Sequence, residues 1–382
     1  MYRRGAGPED MTAAASCPPS PNGLTGKGHA IVFLLVLLLL ACPRSTPAED
    51  LPSNAPIELG EAPLLSAGPL KYQPARGLRL GSTGGVIGGF TNLKAESTEH
   101  SGGEFALDNL NFFVIFDPVP HFRAVAELQL KDIFVADEKR SGTQSFGFDV
   151  RRLFGDVTVS DELQLRAGTF LTPVGYWNLI LAPPLTWTTE APLIVEKNFF
   201  QPTTTGFMLH GSTGVSSSQL GYSFFSQFLK PLEHNPDLDP PDHTAGVRLA
   251  YETGPAWSVS ATYQAAQNDA LWSHLGGVGL LWQPSRGEVM SELYVQDGSK
   301  LSSMQWGTYL QGVLDVRGPF YAVGRYEHFD PPSPGQTLNL LTVGGVWKPF
   351  PFMAVKVEYR VADHALEDRS LNGFFSSWST LF

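Results

Sequence analysis

From Gly77 to the end of the chain, apolar and polar residues alternate in short segments. In residues 355–361 the odd positions are Val, Val, Tyr and Val, and the even positions are all charged. In residues 122–131 the even positions are apolar, and the odd positions include Arg, Glu, Gln and Lys. Successive side chains of a β-strand point to opposite faces, so each segment predicts a strand with one apolar and one polar face.

About sixteen such segments follow one another, separated by Gly, Pro, Asn or Asp, which are typical of turns. They cover residues 78–92, 105–116, 121–134, 145–158, 162–171, 204–213, 218–229, 244–252, 256–265, 274–283, 287–297, 304–315, 319–329, 337–348, 352–361 and 373–382.

The connections between these segments alternate in length. The short ones are residues 117–120, 160–161, 214–217, 254–255, 284–286, 318 and 349–351; the longer ones are 93–104, 135–144, 172–203, 230–243, 330–336 and 362–372. Tight turns at one end and long loops at the other are typical of outer-membrane barrels. The pattern therefore predicts an all-β protein, a closed antiparallel transmembrane β-barrel over residues 77–382, with short periplasmic turns and longer extracellular loops.

Composition supports this interpretation. Charged residues make up 16% of the chain and the mean hydropathy is -0.06, which is too polar for a bundle of membrane helices. In a barrel wall each lipid-facing apolar residue is offset by a lumenal polar one. The formal net charge of -11 argues against a nucleic-acid-binding surface.

The N-terminal region predicts export. The apolar run at 30–41 is too short to span a bilayer as a helix, which needs ~20 residues, and Lys27 precedes it. We interpret residues 1–48 as a secretory signal peptide, with Met11 as an alternative start. Cleavage falls within 42–48, either before Cys42 in a lipobox-like sequence or after residues 46–48.

The region that follows, residues 49–76, is rich in Pro, Ala, Ser and Leu and has no clear period, so we expect a periplasmic linker. Both cysteines, Cys17 and Cys42, lie at or before the cleavage region. The predicted barrel therefore has no disulfide, thiolate metal site or cysteine nucleophile.

The last predicted strand ends on an aromatic residue. Phe374, Trp378 and Phe382 occupy alternate positions and share one face of this strand. We expect these three residues to form a C-terminal signal for the barrel-assembly machinery. Other aromatic residues cluster near the strand ends, where amphipathic rings favour the membrane interface.

One segment indicates a family. Residues 166–175, RAGTFLTPVG, resemble a strand end of porins of the phosphate-selective O and P type, and residues 150–152 and 356–360 are also similar to that family. The resemblance implies a sixteen-stranded, often homotrimeric, pore in the outer membrane, in contact with lipid and lipopolysaccharide. It implies passive diffusion of small hydrophilic solutes or ions. Phosphate selectivity is not implied, because a dense cluster of Arg and Lys is absent from the sequence.

Strand alternation also predicts which charged residues face the lumen, because a charge facing lipid at mid-depth costs ~2–4 kcal/mol. The predicted pore-lining residues are Arg123, Glu127, Lys131, Arg248, Arg325, Glu327, Lys356, Glu358 and Arg360. The longest connection, 172–203, is apolar enough to fold into the lumen as a constriction loop, and a surface loop is the alternative. Its candidate residues are Trp187, Glu190, Glu196 and Lys197. Arg151 and Arg152 are adjacent, so regular alternation cannot direct both inward.

Two other function classes stay open. A non-channel barrel, such as an adhesin or scaffold, would have a plugged lumen. An outer-membrane enzyme is less favoured, because His210 and Ser212 are predicted to face inward near the periplasmic end. The acidic, His-containing loop at 232–243 could bind a cation, but a solvated loop explains it better. We therefore assign no catalytic residue, no metal and no cofactor.

Overall fold

The structure, a computed structural model, describes residues 65–67, 70–99, 102–137, 141–142, 147–180, 182–196, 199–232, 240–254, 256–298, 304–330, 337–364 and 371–382. The predicted signal peptide and its two cleavage alternatives lie outside the described residues. Most of the predicted linker, and Lys197, also lie outside the described residues. In the described part of the chain, no helix is long and apolar enough to cross a bilayer.

Sixteen strands form the wall of a closed antiparallel β-barrel, which confirms the predicted fold. The wall strands are β4 (Gly85–Thr98), β5 (Gly103–Val119), β6 (Phe122–Asp137), β8 (Gly147–Ser160), β9 (Leu163–Leu171), β10 (Thr203–Val215), β11 (Ser218–Leu229), β12 (His243–Thr253), β13 (Trp257–Asn268), β14 (Leu271–Trp282), β15 (Gly287–Gly298), β16 (Gln305–Arg317), β17 (Phe320–Phe329), β18 (Leu338–Phe350), β19 (Met353–Ala362) and β20 (Gly373–Leu381). Each pairs with its neighbours, and β20 pairs with β4 to close the ring.

Four short strands lie outside this ring: β1 (Leu65–Ala67), β2 (Leu70–Gln73), β3 (Gly77–Leu80) and the two-residue β7 (Ser141–Gly142). The first predicted strand, 78–92, is therefore split between β3 and β4. The chain turns between them at Gly81 and Gly84, whose φ angles of 59° and 74° favour glycine. β3 then pairs with the first residues of β4.

Connection length separates the two ends of the barrel as predicted. At the short-turn end, strands join through links such as 120–121, 161–162, 216–217, 318–319 and 351–352. The longest link at the opposite end, the loop end, is residues 172–202. Two loop-end links are shorter than expected. β4 continues to Thr98, where we expected a loop from residue 93, and β13 and β14 are joined by residues 269–270 alone.

The two faces of the wall differ in polarity. Large apolar side chains are exposed on the outer face, whereas charged and polar groups face inward. Near the short-turn end, aromatic rings form stacked pairs: Trp257 with Trp282 and Phe320 with Trp347 on neighbouring strands, and Phe350 with Phe352 at the turn between β18 and β19. These pairs form the aromatic belt that the sequence predicts for this end.

The C-terminal aromatic residues lie on the outer face. Phe374 and Trp378 are exposed there, at 61% and 38%. The backbone of Phe382 exchanges two hydrogen bonds with Gly89, each 2.9 Å. Its ring lies edge-on to Phe112 over Gly89, where a Cβ would come within 2.6 Å of the ring. This geometry seals the seam between β20 and β4, and the role of these residues as an assembly signal stays a prediction.

Candidate functional site

The long connection at 172–202, here called the inserted segment, folds into the barrel. It contains two single-turn helices, Trp177–Ile180 and Leu193–Glu196. Its apolar side chains, among them Val174, Leu193 and Ile194, are at most 1% exposed. They pack against inward-facing apolar residues of the wall, namely Met208, Phe225, Leu275, Met290, Tyr294, Tyr309, Phe329, Leu338 and Leu340. This contact fills the lumen along that part of the wall with a close-packed core.

The segment begins with an anchor on β13 and β15. The Tyr176 amide donates a hydrogen bond to the Glu292 carboxylate, and the Tyr176 hydroxyl lies 2.6 Å from the Ser258 hydroxyl. Glycine makes this contact fit, because a Cβ at Gly279 would come within 2.9 Å of the Tyr176 ring. Gly175, with a φ of 65°, turns the chain toward the wall.

Two buried cations of the wall hold the middle of the segment. Lys356 Nζ donates to the Pro183 carbonyl at 2.8 Å, the Thr186 hydroxyl at 2.7 Å and the Thr188 carbonyl at 3.0 Å. These three bonds use every proton of the ammonium group. The cation therefore fixes the backbone of the segment rather than facing open solvent.

Arg325, on β17, makes the second set of contacts with the segment. Its Nη1 donates to the Thr188 hydroxyl at 2.6 Å and to the Glu190 carbonyl at 3.0 Å, and its Nη2 donates to the Ala191 carbonyl at 3.3 Å. Its Nε pairs with Glu327 at 2.7 Å. Four of the five N–H groups of this guanidinium are thus bonded, three of them to the segment and one to a wall carboxylate.

Wall carboxylates bind amide groups of the same segment. The Thr189 amide donates to Glu358 at 3.0 Å, and the Leu193 amide donates to Glu327 at 2.6 Å. Charged acceptors form stronger hydrogen bonds than neutral ones. Buried charges of both signs therefore hold the segment against β17 and β19.

Trp187 lies where the segment approaches the short-turn end. Its indole nitrogen donates to Glu288 at 2.9 Å, close to the start of β15. The ring lies against Tyr321 on one side, with centroids 5.0 Å apart, and the Lys348 ammonium lies 3.6 Å from its centroid. The inserted segment thus extends from the loop end almost to the short turns.

On the far side, the segment touches β4 through one ion pair. Lys94 Nζ lies 3.1 Å from Glu190 and 3.2 Å from Asp108 of β5. A cavity of about 130 Å³ opens here, lined by Lys94, Glu96, Glu104, Ala106, Asp108, Val135 and Glu190. The segment and β4–β6 therefore leave a cavity between them.

The predicted pore-lining residues separate into two groups. Arg325, Glu327, Lys356, Glu358 and Arg360 face inward but are at most 2% exposed. The inserted segment covers the first four of them, and Arg360 lies over the Phe375 ring at 4.9 Å. Inward orientation alone therefore does not bring a charge into contact with the open lumen.

The other predicted lumenal residues lie on β6 and β12. Lys131 pairs with Asp149 at 2.8 Å, and Arg152 pairs with the buried Glu127. Arg123 is exposed near the short turns, paired with Asp117 at 2.9 Å. Arg248 lies 5.1 Å from the centroid of the Tyr176 ring.

A β-bulge directs both adjacent arginines inward. The pairing of β6 with β8 passes from Glu127–Arg152 to Leu128–Val150, which leaves Arg151 as the extra residue. Arg151 then donates to the Gln129 side chain at 3.2 Å. The adjacent charges in the sequence indicated an irregularity here, and the structure identifies it as this bulge.

Among the constriction-loop candidates, Trp187 and Glu190 make the contacts given above. Glu196 ends the second single-turn helix with an exposed side chain. Sequence reasoning missed Lys94, Glu96, Glu104 and Asp108, which line the cavity. The signal was present, because apolar and charged residues still alternate from 93 to 96, inside the stretch interpreted as a loop.

Those residues considered for other chemistry that the structure describes do not come together as a site. His210 lies 3.8 Å from Asp156, and Ser212 accepts a hydrogen bond from Gln219 rather than from His210. In the 232–243 loop, residues 233–239 lie outside the described residues, and Asp242 pairs with Lys230 at 3.3 Å. The described residues contain no group of three or more His, Cys, Asp or Glu side chains that could hold a metal ion.

Comparison with known proteins gives a structural likeness only. No family model and no curated protein matches the chain. Among solved structures, the chain is similar to a loop-deletion mutant of the outer-membrane protein OmpT of Vibrio cholerae, with a TM-score of 0.55, 10% identity, and 78% of this chain and 100% of that one covered.

Two porins show the same likeness. OmpF of Salmonella typhi, solved with daunomycin, has a TM-score of 0.55 at 10% identity, covering 79% of this chain and 98% of its own. The anion-selective porin of Comamonas acidovorans has a TM-score of 0.54 at 12% identity, covering 78% and 99%. The resemblance to the phosphate-selective O and P type finds no support at sequence level. The chain therefore shares the barrel fold of these outer-membrane proteins.

Proposed function

We propose that this protein is a porin of the bacterial outer membrane, a water-filled channel for passive diffusion of small hydrophilic solutes or ions. The observation that carries the proposal is the opposite polarity of the two faces of the wall. On β19, Val357 and Val361 are exposed outward at 55% and 47%, while Glu358 and Arg360 between them face inward. An apolar outer band with aromatic rings near one end suits lipid, and a charged interior suits water.

The proposed passage runs between the inserted segment and the inner face of β4–β9. The segment fills the opposite side of the lumen with apolar side chains. Solutes would pass the cavity beside Lys94 and Glu190 and then the charged residues of β6, β8 and β9. Charged groups in a narrow water-filled passage set its selectivity. We infer that these residues, rather than the covered charges of β17 and β19, contact the solute.

The same proposal includes the partners expected from the sequence. Lipid and lipopolysaccharide would contact the outer face, and the barrel-assembly machinery would recognise the C-terminal residues Phe374, Trp378 and Phe382. A homotrimer is the assembly that the porin resemblance implies. Export would proceed through the signal peptide at 1–48, and residues 49–76 would remain in the periplasm.

A second candidate is a non-channel barrel, an adhesin or scaffold whose lumen is plugged. The apolar core between the inserted segment and the wall favours it, because this core has no room for water. The two candidates differ in one measurable property. An open passage conducts ions, and a plugged barrel does not.

The test is single-channel recording of the purified, folded protein in planar lipid bilayers. We expect discrete conductance steps that scale with salt concentration. The Glu190→Gln variant removes one carboxylate from the passage, so the reversal potential in a salt gradient should shift toward anions. Asp297→Asn is the matched control, because Asp297 lies on the outer face of the wall, opposite the outward-facing His274 in the register of β14 and β15. Folded protein without conductance steps would refute the porin and favour the plugged barrel.

A further inference from the structure

The charges that face the proposed passage form two zones of opposite sign. Near the loop end, four carboxylates and one ammonium line or border the cavity; we call Lys94, Glu96, Glu104, Asp108 and Glu190 the acidic mouth. Lys94 is shared between Asp108 and Glu190. Both of these carboxylates keep 22% of their side-chain surface exposed. One cation cannot neutralise four carboxylates, so the acidic mouth presents net negative charge to the lumen.

Deeper in the barrel the arrangement is reversed. We call Lys131, Arg151, Arg152 and Arg166, which lie on β6, β8 and β9, the basic stretch. Three of its members pair with carboxylates, and in each pair the cation lies toward the lumen. The side-chain exposures are 30% against 6% for Lys131 and Asp149, 27% against 5% for Arg152 and Glu127, and 20% against 9% for Arg166 and Asp156.

The fourth member of the basic stretch, Arg151, forms no ion pair with a carboxylate among the described residues. It donates to the Gln129 amide oxygen instead. With three cations matched by three carboxylates, this guanidinium group gives the basic stretch net positive charge.

Strand register gives the order of the two zones along the passage. Glu96 and Glu104 face each other next to the loop end of β4 and β5. Closer to the short turns, Lys131 lies opposite Asn109 in the register of β5 and β6. Closer still, Arg152 lies opposite Glu127 in the register of β6 and β8. A solute entering at the loop end therefore meets the negative zone first and the positive zone second.

We propose that this passage is a bipolar pore, in which fixed charges of opposite sign in series make the ionic current depend on the polarity of the voltage. The inference rests on the proposed porin function. Cations are the main carriers in the acidic mouth and anions in the basic stretch. When the loop side is positive, both carriers move toward the boundary between the zones and accumulate there. The opposite polarity empties this boundary of ions and lowers the current.

The effect depends on ionic strength. The Debye length is ~10 Å at 0.1 M salt and ~3 Å at 1 M, so fixed charges control the ions across a narrow passage only in the dilute solution. We expect a ratio of currents at opposite voltages of about two at 0.1 M salt, falling to about one at 1 M. Channels must be recorded singly, because oppositely inserted molecules cancel in an average.

Two double variants test the origin of the asymmetry. Glu96→Gln with Glu104→Gln weakens the acidic mouth, and Lys131→Gln with Arg151→Gln weakens the basic stretch. Circular dichroism and resistance to unfolding in detergent check that each variant keeps the folded barrel. Each double variant should bring the current ratio at 0.1 M close to one while channels still open. Asp297→Asn on the outer wall should leave the ratio unchanged.

The outcomes separate this inference from the porin function. Channels with a symmetric current at 0.1 M salt would overturn the bipolar pore and leave the porin intact. An asymmetry that survives both double variants, or that persists at 1 M, would also overturn it, because fixed charges in the two zones would not be its cause. Folded protein that never conducts would overturn both proposals.

Discussion

Removal of the buried ammonium group of Lys356 should loosen the inserted segment without opening the barrel. In Lys356→Met the side chain keeps its approximate size but loses three hydrogen bonds to the segment, at 2.7–3.0 Å. Two of the acceptors, the carbonyls of Pro183 and Thr188, then lose a charged donor, and the Thr186 hydroxyl, 3.1 Å from each, can donate its one proton to only one of them. A hydrogen bond to a charged group contributes ~1.5–3 kcal/mol, and an unsatisfied buried acceptor costs ~1–3 kcal/mol.

The expected loss is about 3–5 kcal/mol of local stability, which is the usual range for breaking a buried charged contact. Each 1.4 kcal/mol is a factor of ten in an equilibrium constant, so the detached state of the segment should become ~100-fold or more populated. The sixteen-stranded ladder contributes none of these bonds. We therefore expect the unfolding temperature of the barrel to change much less than the stability of the segment.

Hydrogen exchange of the folded protein in detergent measures this difference, because local opening exposes amides at its own free energy. The Thr189 and Leu193 amides, which bond to wall carboxylates, should exchange ~100-fold faster in Lys356→Met. Lys131→Met is the matched control, since it removes a lumenal lysine that pairs with Asp149 of β8 at 2.8 Å. Unchanged protection at both amides would refute the view that buried charges hold the segment in place.

Four further variants test other contacts. Gly279→Val should displace the Tyr176 ring and loosen the start of the inserted segment, seen as noisier single-channel current. Arg152→Gln should cost ~3–5 kcal/mol in chemical unfolding because a buried glutamate loses its partner, whereas Arg151→Gln on the same bulge should cost under ~1 kcal/mol; equal costs would contradict the assigned pairing. Phe382→Ala should lower the folded fraction during assembly, by loss of a ring contact of ~0.5–1.5 kcal/mol at the seam, measured by resistance to unfolding in detergent on heating.

The local sequence pattern predicted most of the barrel architecture. Strand alternation, turn residues and the contrast of short and long links predicted the sixteen wall strands, the closed antiparallel sheet and the direction of most side chains. Errors arose where the pattern is weak. The alternation at 93–98 was interpreted as a loop because polar residues dominate it, and the cavity-lining residues of β4 were missed for that reason.

The sequence by itself determined which residues face inward, because the period of two is a property of each strand and needs no distant contact. It could not determine which of them meet water. Arg325 and Lys131 both follow regular alternation and both carry a positive charge, yet the side chain of Arg325 is 0% exposed while that of Lys131 is 30% exposed. The difference is made by the inserted segment, which is distant in sequence from Arg325 and reaches it only when the barrel is closed. Only the tertiary structure could decide this, because the apolar core that draws the segment to one side of the lumen consists of residues from many strands.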